Sequence, residues 1–397
     1  MWKQTRRRSR LSNIDMAEKR EIWVDWLRVA ACFMVMVVHS TEPFYLGGEG
    51  TLVRSAADGF WAALADSLVR SCVPLFIIAS SYLQFPVHYP TGKFLRRRAI
   101  RVLIPLLVWS VVYALVWGEP VENFTNLLQN FNYAAGHLWF VYMIFGLYLV
   151  MPLLSPWAER VGKRELSIYL LIWLFTTVIP FIRVWLGGTP PYISGPSGIP
   201  NPAKFPLWGE ASWNANGTFY YVSGLAGYLL IGLYFRKFAP QWSRGRSLLA
   251  GIASYAAGFA ITFGGFRALM LGDATAFPFE GPVSYAALWE TPWMFDSLGV
   301  ALMAVGIIIL ARGITADGRF YQKVVLPVSQ ASYGMYLMHM LFLSASSALY
   351  MRVLTPALPA AFSAPVIILC TALSSYVCSA AASLLLRRIP RIGKYIA

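Results

Sequence analysis

The stretch Ile22–Thr41, IWVDWLRVAACFMVMVVHST, is apolar and long enough to cross a bilayer as one helix, yet it carries Asp25, Arg28 and His39. Each ionisable side chain at membrane depth costs about 3 kcal/mol, so such groups face a polar interior and mark function. At about 100° per residue, positions 28 and 39 return to within roughly 20° of one direction, and position 25 precedes 28 by nearly a turn. The three share a face. A rise of about 1.5 Å per residue separates Arg28 from His39 by roughly 16 Å, about half the hydrocarbon thickness. One helix thus presents an acid and a guanidinium near one surface and an imidazole towards the other.

Outward from that stretch, the 397-residue chain is 57% hydrophobic and only 13% charged, with a mean hydropathy of +0.55. Soluble domains are about 25% charged, so the composition specifies an all-α, polytopic membrane protein. The net charge of +15 sits in short runs between apolar segments. Such a distribution sets membrane topology and excludes nucleic acid as the expected partner. Cys32, Cys72, Cys370 and Cys378 lie inside apolar segments without metal-ligand or CxxC spacing, and read as buried thiols.

Ten spans are predicted, at about 22–41, 66–85, 102–117, 137–157, 166–186, 218–235, 248–271, 292–311, 325–350 and 363–386. Every second connection is basic, including KFLRRRAIR (93–101), Arg160 to Arg164, and Arg236 to Arg246. The alternate ones, such as 118–136 with Glu119 and Glu122, lack that charge. The alternation places both termini in the cytoplasm. Residues 1–21 and 387–397 are then basic tails that touch membrane lipids, flanking one transmembrane domain over 22–386. The segment 42–65 reads as a mildly acidic loop, and 187–217, rich in Gly, Pro and Trp, as a lid.

Of four histidines, three fall at similar predicted depth in the outer half: His39, His137 and His339. Each alone reads equally well as a packing histidine; together they suggest chemistry. A metal site lacks His-x-x-x-His spacing, so none is expected. General-base catalysis by a neutral imidazole fits better. Arg28 has a structural alternative, an ion pair with Asp25 that eases insertion. Arg70, Arg183 and Arg267 stand near outer helix ends, where long side chains snorkel, and Asp296 is a candidate counter-charge. Trp139, beside His137, is a candidate site wall.

Six segments carry a resemblance that extends over nearly the whole chain: DWLR followed by His39, with ten residues between Arg28 and His39; RSCVPLFIIASSYL; FLRRRAIRVLIPLLVW; HLWFVYMIFGLYLVMPLL; GLAGYLLIGLYF; and SYGMYLMHMLFL. In this order they resemble the membrane acyltransferase 3 family of acyl-CoA-dependent O-acyltransferases, with bacterial surface-glycan O-acetyltransferases, such as that of enterobacterial common antigen, looking nearest. Ser81 departs from the family pattern, which has Gly there, and is expected to narrow the channel or change acyl preference.

The resemblance implies transfer of an acyl group, usually acetyl, from cytoplasmic acyl-CoA to a glycan or lipid-linked sugar at the outer face of the bacterial inner membrane. Acetyl-CoA is then a co-substrate, and no tightly bound cofactor is expected. The functional positions map onto Arg28 and His39, and further onto Asp25, Arg70, His137 and His339. His39 is expected to act as base, with His137 or His339 orienting substrate or stabilising an oxyanion. Arg28, Arg97, Arg98 and Arg101 are expected to hold CoA phosphates or its pantetheine arm, whose length is roughly that of the Arg28-to-His39 span. An acyl-Cys32 relay is the covalent alternative. A transporter of a glycan precursor or small metabolite is the alternative from a different class, although no inverted pair of broken helices supports it.

Overall fold

The computed structural model describes residues 20–48, 50–118, 135–187, 208–209, 214, 216–391 and 393–396. The expected lid (187–217), the acidic loop 118–136 and the amino-terminal tail therefore lie largely outside the described residues.

The first span forms as expected, a helix over Ile22–Thr41 (α1). It sits at the centre of the bundle, packed on α2 (Ala56–Val69), α3 (Cys72–Gln84), α12 (Leu326–Leu354) and α13 (Ala360–Leu386). The remaining helices are α4 (Thr91–Val116), α5 (Trp139–Arg160), α6 (Lys163–Thr176), α7 (Ile179–Trp185), α8 (Gly227–Phe238), α9 (Arg244–Asp273), α10 (Val283–Trp289), α11 (Leu298–Ala311) and α14 (Gly393–Ile396). Apolar side chains on nearly every face and backbone hydrogen bonds closed within each helix are what the hydrocarbon demands.

Among the described residues, nine helices are long and apolar enough to cross a membrane, one fewer than expected. The missing one is the span at 218–235. It opens as two 3₁₀ turns, Gly217–Val222 and Gly224–Ala226, and becomes α-helical only over Gly227–Phe238. Gly224 has a positive φ of 72°, which breaks the helix there. The span at 166–186 is also interrupted, between Thr176 and Ile179, with Pro180 at the start of the second piece.

The segment 42–65 is not a loop. It holds a short hairpin, β1 (Leu46–Gly47) with β2 (Gly50–Val53), and β2 pairs antiparallel with β3 (Phe279–Pro282). It also holds most of α2, whose start is capped by the Ser55 hydroxyl accepting from the Asp58 N–H at 3.1 Å. Asp58 and Gly59 made the segment read as a loop; the cap and burial of one face make it a helix. Likewise KFLRRRAIR is not a connector. Lys and Arg are good helix formers, and α4 begins at Thr91, so this basic run is helical.

The pair α9 and α11 packs through glycines that recur every seven residues, Gly251 and Gly258 against Gly299 and Gly306. A Cβ on Gly258 would lie 2.3 Å from the Gly299 carbonyl oxygen, so only glycine permits this approach. Gly258→Leu is expected to cost about 1–3 kcal/mol through overpacking, read as a lower melting temperature in detergent.

Candidate active site

A cavity of about 520 Å³ runs alongside α1 and touches both Arg28 and His39. Because these residues are eleven apart on one helix, the cavity extends roughly 16 Å along the helix axis. At one end Arg28, Arg98 and Arg101 line it. At the other are His39, Glu42, His137 and Arg70. Arg28 and His39 of the charged stripe predicted for the first span therefore face this cavity, and Asp25 does not.

The cationic end is unneutralised. Among the described residues, no carboxylate lies within ion-pair distance of Arg28, Arg98 or Arg101. The Arg98 guanidinium lies over the rings of Phe94 and Tyr148 at 5.3 and 5.2 Å, and its Nε is buried without a hydrogen-bond partner. Arg28 also lines a second cavity of about 600 Å³ with Arg20, Glu21, Asp25, Tyr82 and Arg236. It stands between the two spaces. Arg97, expected beside these groups, is instead exposed over Tyr89 at 5.4 Å and does not line the cavity.

Asp25 does not pair with Arg28. Its carboxylate accepts from Arg20 Nε at 2.6 Å and Nη2 at 2.9 Å, from the Tyr321 hydroxyl at 2.7 Å and from the Ser329 hydroxyl at 2.6 Å. With its lone pairs occupied, Asp25 ties α1 to the start of α12. The expected ion pair with Arg28 is therefore replaced by one with Arg20, and the contacts of Asp25 are those of a structural anchor.

At the imidazole end, His39 Nδ1 is 2.7 Å from Glu42 Oε1. Donation of the Nδ1 proton to that carboxylate leaves Nε2 with its lone pair, the tautomer a general base needs. Glu42, three residues along the chain, thus holds the second ring nitrogen. The His339 ring lies 5.3 Å from His39 and 5.1 Å from His137, so the three histidines do converge. His339 Nδ1 donates to the Tyr336 carbonyl at 2.6 Å. The Nε2 atoms of His339 and His137 are both buried without partners. His137 lines the cavity, while His339 is buried behind it. Among the described residues no cluster of His, Cys, Asp or Glu has the arrangement of a metal site.

Arg70 lines the cavity but is fully engaged and does not snorkel. Nε donates to the Trp293 carbonyl at 2.8 Å, Nη1 to both Asp66 oxygens at 3.3 and 3.2 Å, and Nη2 lies 3.6 Å from Glu290. Asp66 also accepts from Thr41 at 3.0 Å, and Glu290 from Tyr45 at 2.8 Å. Burial raises the Glu290 carboxyl above its ordinary range, and Arg70 opposes that rise. Arg70 therefore belongs to a buried network binding α1, α2 and the segment before α11; Glu290 rather than Asp296 is its second counter-ion. Arg183 is buried as well.

Trp139 lines the cavity and stacks on Phe295, with ring centroids 5.7 Å apart and 24° between planes. Ser81 does not narrow the cavity. Its hydroxyl donates to the Leu229 carbonyl at 2.6 Å, and its Cβ packs where Gly232 leaves room. Cys32 is buried against the Ser332 carbonyl and does not line the cavity, which removes it from the path of an acyl group.

No curated protein and no solved structure is detectably similar to the chain. A family model described as an acyltransferase domain, that of acyltransferase 3, matches residues 21–384. On a match that spans nearly its whole length, and with nine apolar helices of membrane-crossing length among the described residues, the chain belongs to the acyltransferase 3 family.

Proposed function

We propose that the protein is an O-acetyltransferase of the bacterial inner membrane, moving an acetyl group from cytoplasmic acetyl-CoA to a sugar hydroxyl of a glycan or lipid-linked acceptor at the outer face. The observation that carries this reading is one continuous cavity with unpaired guanidinium groups at one end and the His39–Glu42 pair at the other. Phosphates of CoA suit Arg28, Arg98 and Arg101, because guanidinium binds phosphate through charge-assisted hydrogen bonds. The basic loops support a cytoplasmic position for that end.

In the reaction, His39 Nε2 takes the proton of the acceptor hydroxyl as the oxygen attacks the thioester carbonyl. The C–S bond then breaks, and the proton passes to the departing thiolate to give free CoA and an ester. Glu42 holds the ring in the required tautomer and stabilises the imidazolium. His137, which lines the cavity, orients the hydroxyl or donates to the oxyanion. His339 supports these rings from behind. The flat Trp139–Phe295 pair offers a face for a sugar ring.

The test uses the purified protein in liposomes with radiolabelled acetyl-CoA and an extract of lipid-linked glycans. Label is expected in the glycan with stoichiometric release of CoA. A carrier would move the acceptor and leave acetyl-CoA intact. Arg28→Ala is expected to raise KM for acetyl-CoA by about tenfold or more, the loss of one charge-assisted contact, with a smaller change in kcat.

A further inference from the structure

Away from this site, a cavity of about 590 Å³ lies where the start of α9 meets the end of α11. Its polar wall is Arg244, Ser247, Arg312 and Thr315, and no Asp or Glu lines it. Arg312 Nε is buried without a hydrogen-bond partner, and its guanidinium is held 5.7 Å from the Phe235 ring. Arg244 is the first residue of a 30-residue helix, whose amino-terminal end carries positive partial charge. The pocket is thus built for an anion.

The rest of the wall is apolar and includes Leu248 and Ile309. The segments Arg244–Asp273 and Thr291–Ala311, which contain these helices, have the length and composition to span a membrane, and the pocket sits at their ends. Exposed Trp242, Leu248 and Leu249 mark that level as the interface between headgroups and acyl chains. Inorganic phosphate would use only the polar half of such a wall, whereas a phospholipid would use both.

We infer that this cavity binds the phosphate headgroup of one anionic membrane phospholipid, with Arg244 and Arg312 on the phosphate and the acyl chains running down the outer face of α9. The site is separate from the acyl-transfer cavity, and it stands or falls independently of the proposed activity.

Native mass spectrometry of the full chain in detergent, with phosphatidylglycerol and phosphatidylcholine supplied equally, tests it. One retained phosphatidylglycerol per chain is expected, favoured about tenfold over phosphatidylcholine, because both carry the phosphate but the choline cation of the latter would be repelled by the two guanidinium groups. Arg244→Gln, an exposed position whose change leaves the fold intact, is expected to remove that preference, and Arg312→Gln to do the same. Arg319→Gln, an exposed cation outside the cavity, is expected to keep it. Equal retention of both lipids, or equal losses in Arg244→Gln and Arg319→Gln, would overturn the site. Complete displacement of the lipid by an equal concentration of inorganic phosphate would overturn its assignment to a lipid.

Discussion

His39→Ala is expected to lower kcat for acyl transfer by about 10²–10⁴-fold, the usual contribution of a general base. His39 lines an existing cavity and its one hydrogen bond is to Glu42, so its removal takes away chemistry while the bundle remains assembled. The melting temperature and the KM for acetyl-CoA should stay close to those of the wild type. Glu42→Gln should lower kcat by a smaller factor, because the imidazole remains but its tautomer is no longer fixed. Steady-state kinetics on protein shown to be monodisperse separates these outcomes, and near-wild-type kcat in His39→Ala would remove the base assignment.

The second large effect is on stability. Arg70→Ala should destabilise the protein by about 3–5 kcal/mol, because it leaves two carboxylates, Asp66 and Glu290, without their buried counter-ion. Thermal unfolding in detergent reads this as a large fall in melting temperature. Asp66→Asn in the Arg70→Ala background should recover part of the loss by removing one stranded charge. Arg98→Ala makes the useful contrast. Among the described residues its guanidinium has no carboxylate partner, so its removal should change donor affinity far more than stability.

Much of this arrangement is visible in the sequence because it is local. The shared face of Arg28 and His39 follows from helical periodicity alone, and the helix at 22–41 has the predicted boundaries. Two further pairs were equally open to that reasoning: His39 with Glu42 at i, i+3, and Asp66 with Arg70 at i, i+4, both spacings that bring side chains together on one helix. Reading 42–65 as a loop concealed the first; the second lay within the predicted span 66–85, where Arg70 read as a snorkelling side chain. The fate of Asp25 was harder to see. Its partners Tyr321 and Ser329 lie about three hundred positions away, and their proximity depends on how α12 packs on α1. Glu290 meets Arg70 across a similar gap, and helical spacing says nothing about it.

The span at 218–235 is irregular for a different reason. Hydropathy registers 218–235 as a span, but it is blind to the glycine at 224, whose positive φ ends regular helix. Basic residues misled in the opposite direction. The run at 93–101 reads as a connector by charge, yet as part of α4 it carries Arg98 and Arg101 to the cavity wall while turning Arg97 outwards. Charge counting sets which side of the membrane such a run occupies; helical phase decides which of its members meet a ligand.

The central claim is that one cavity brings the donor's thioester to His39. A structure of the protein with a thioether analogue of acetyl-CoA, which binds but cannot transfer, tests it most directly. Our account predicts phosphates against Arg28, Arg98 and Arg101 and a pantetheine arm lying along α1, with the acyl carbon within about 3.5 Å of the position an acceptor oxygen takes beside His39 Nε2. An analogue seated outside this cavity, or one whose acyl end points away from His39, would contradict it.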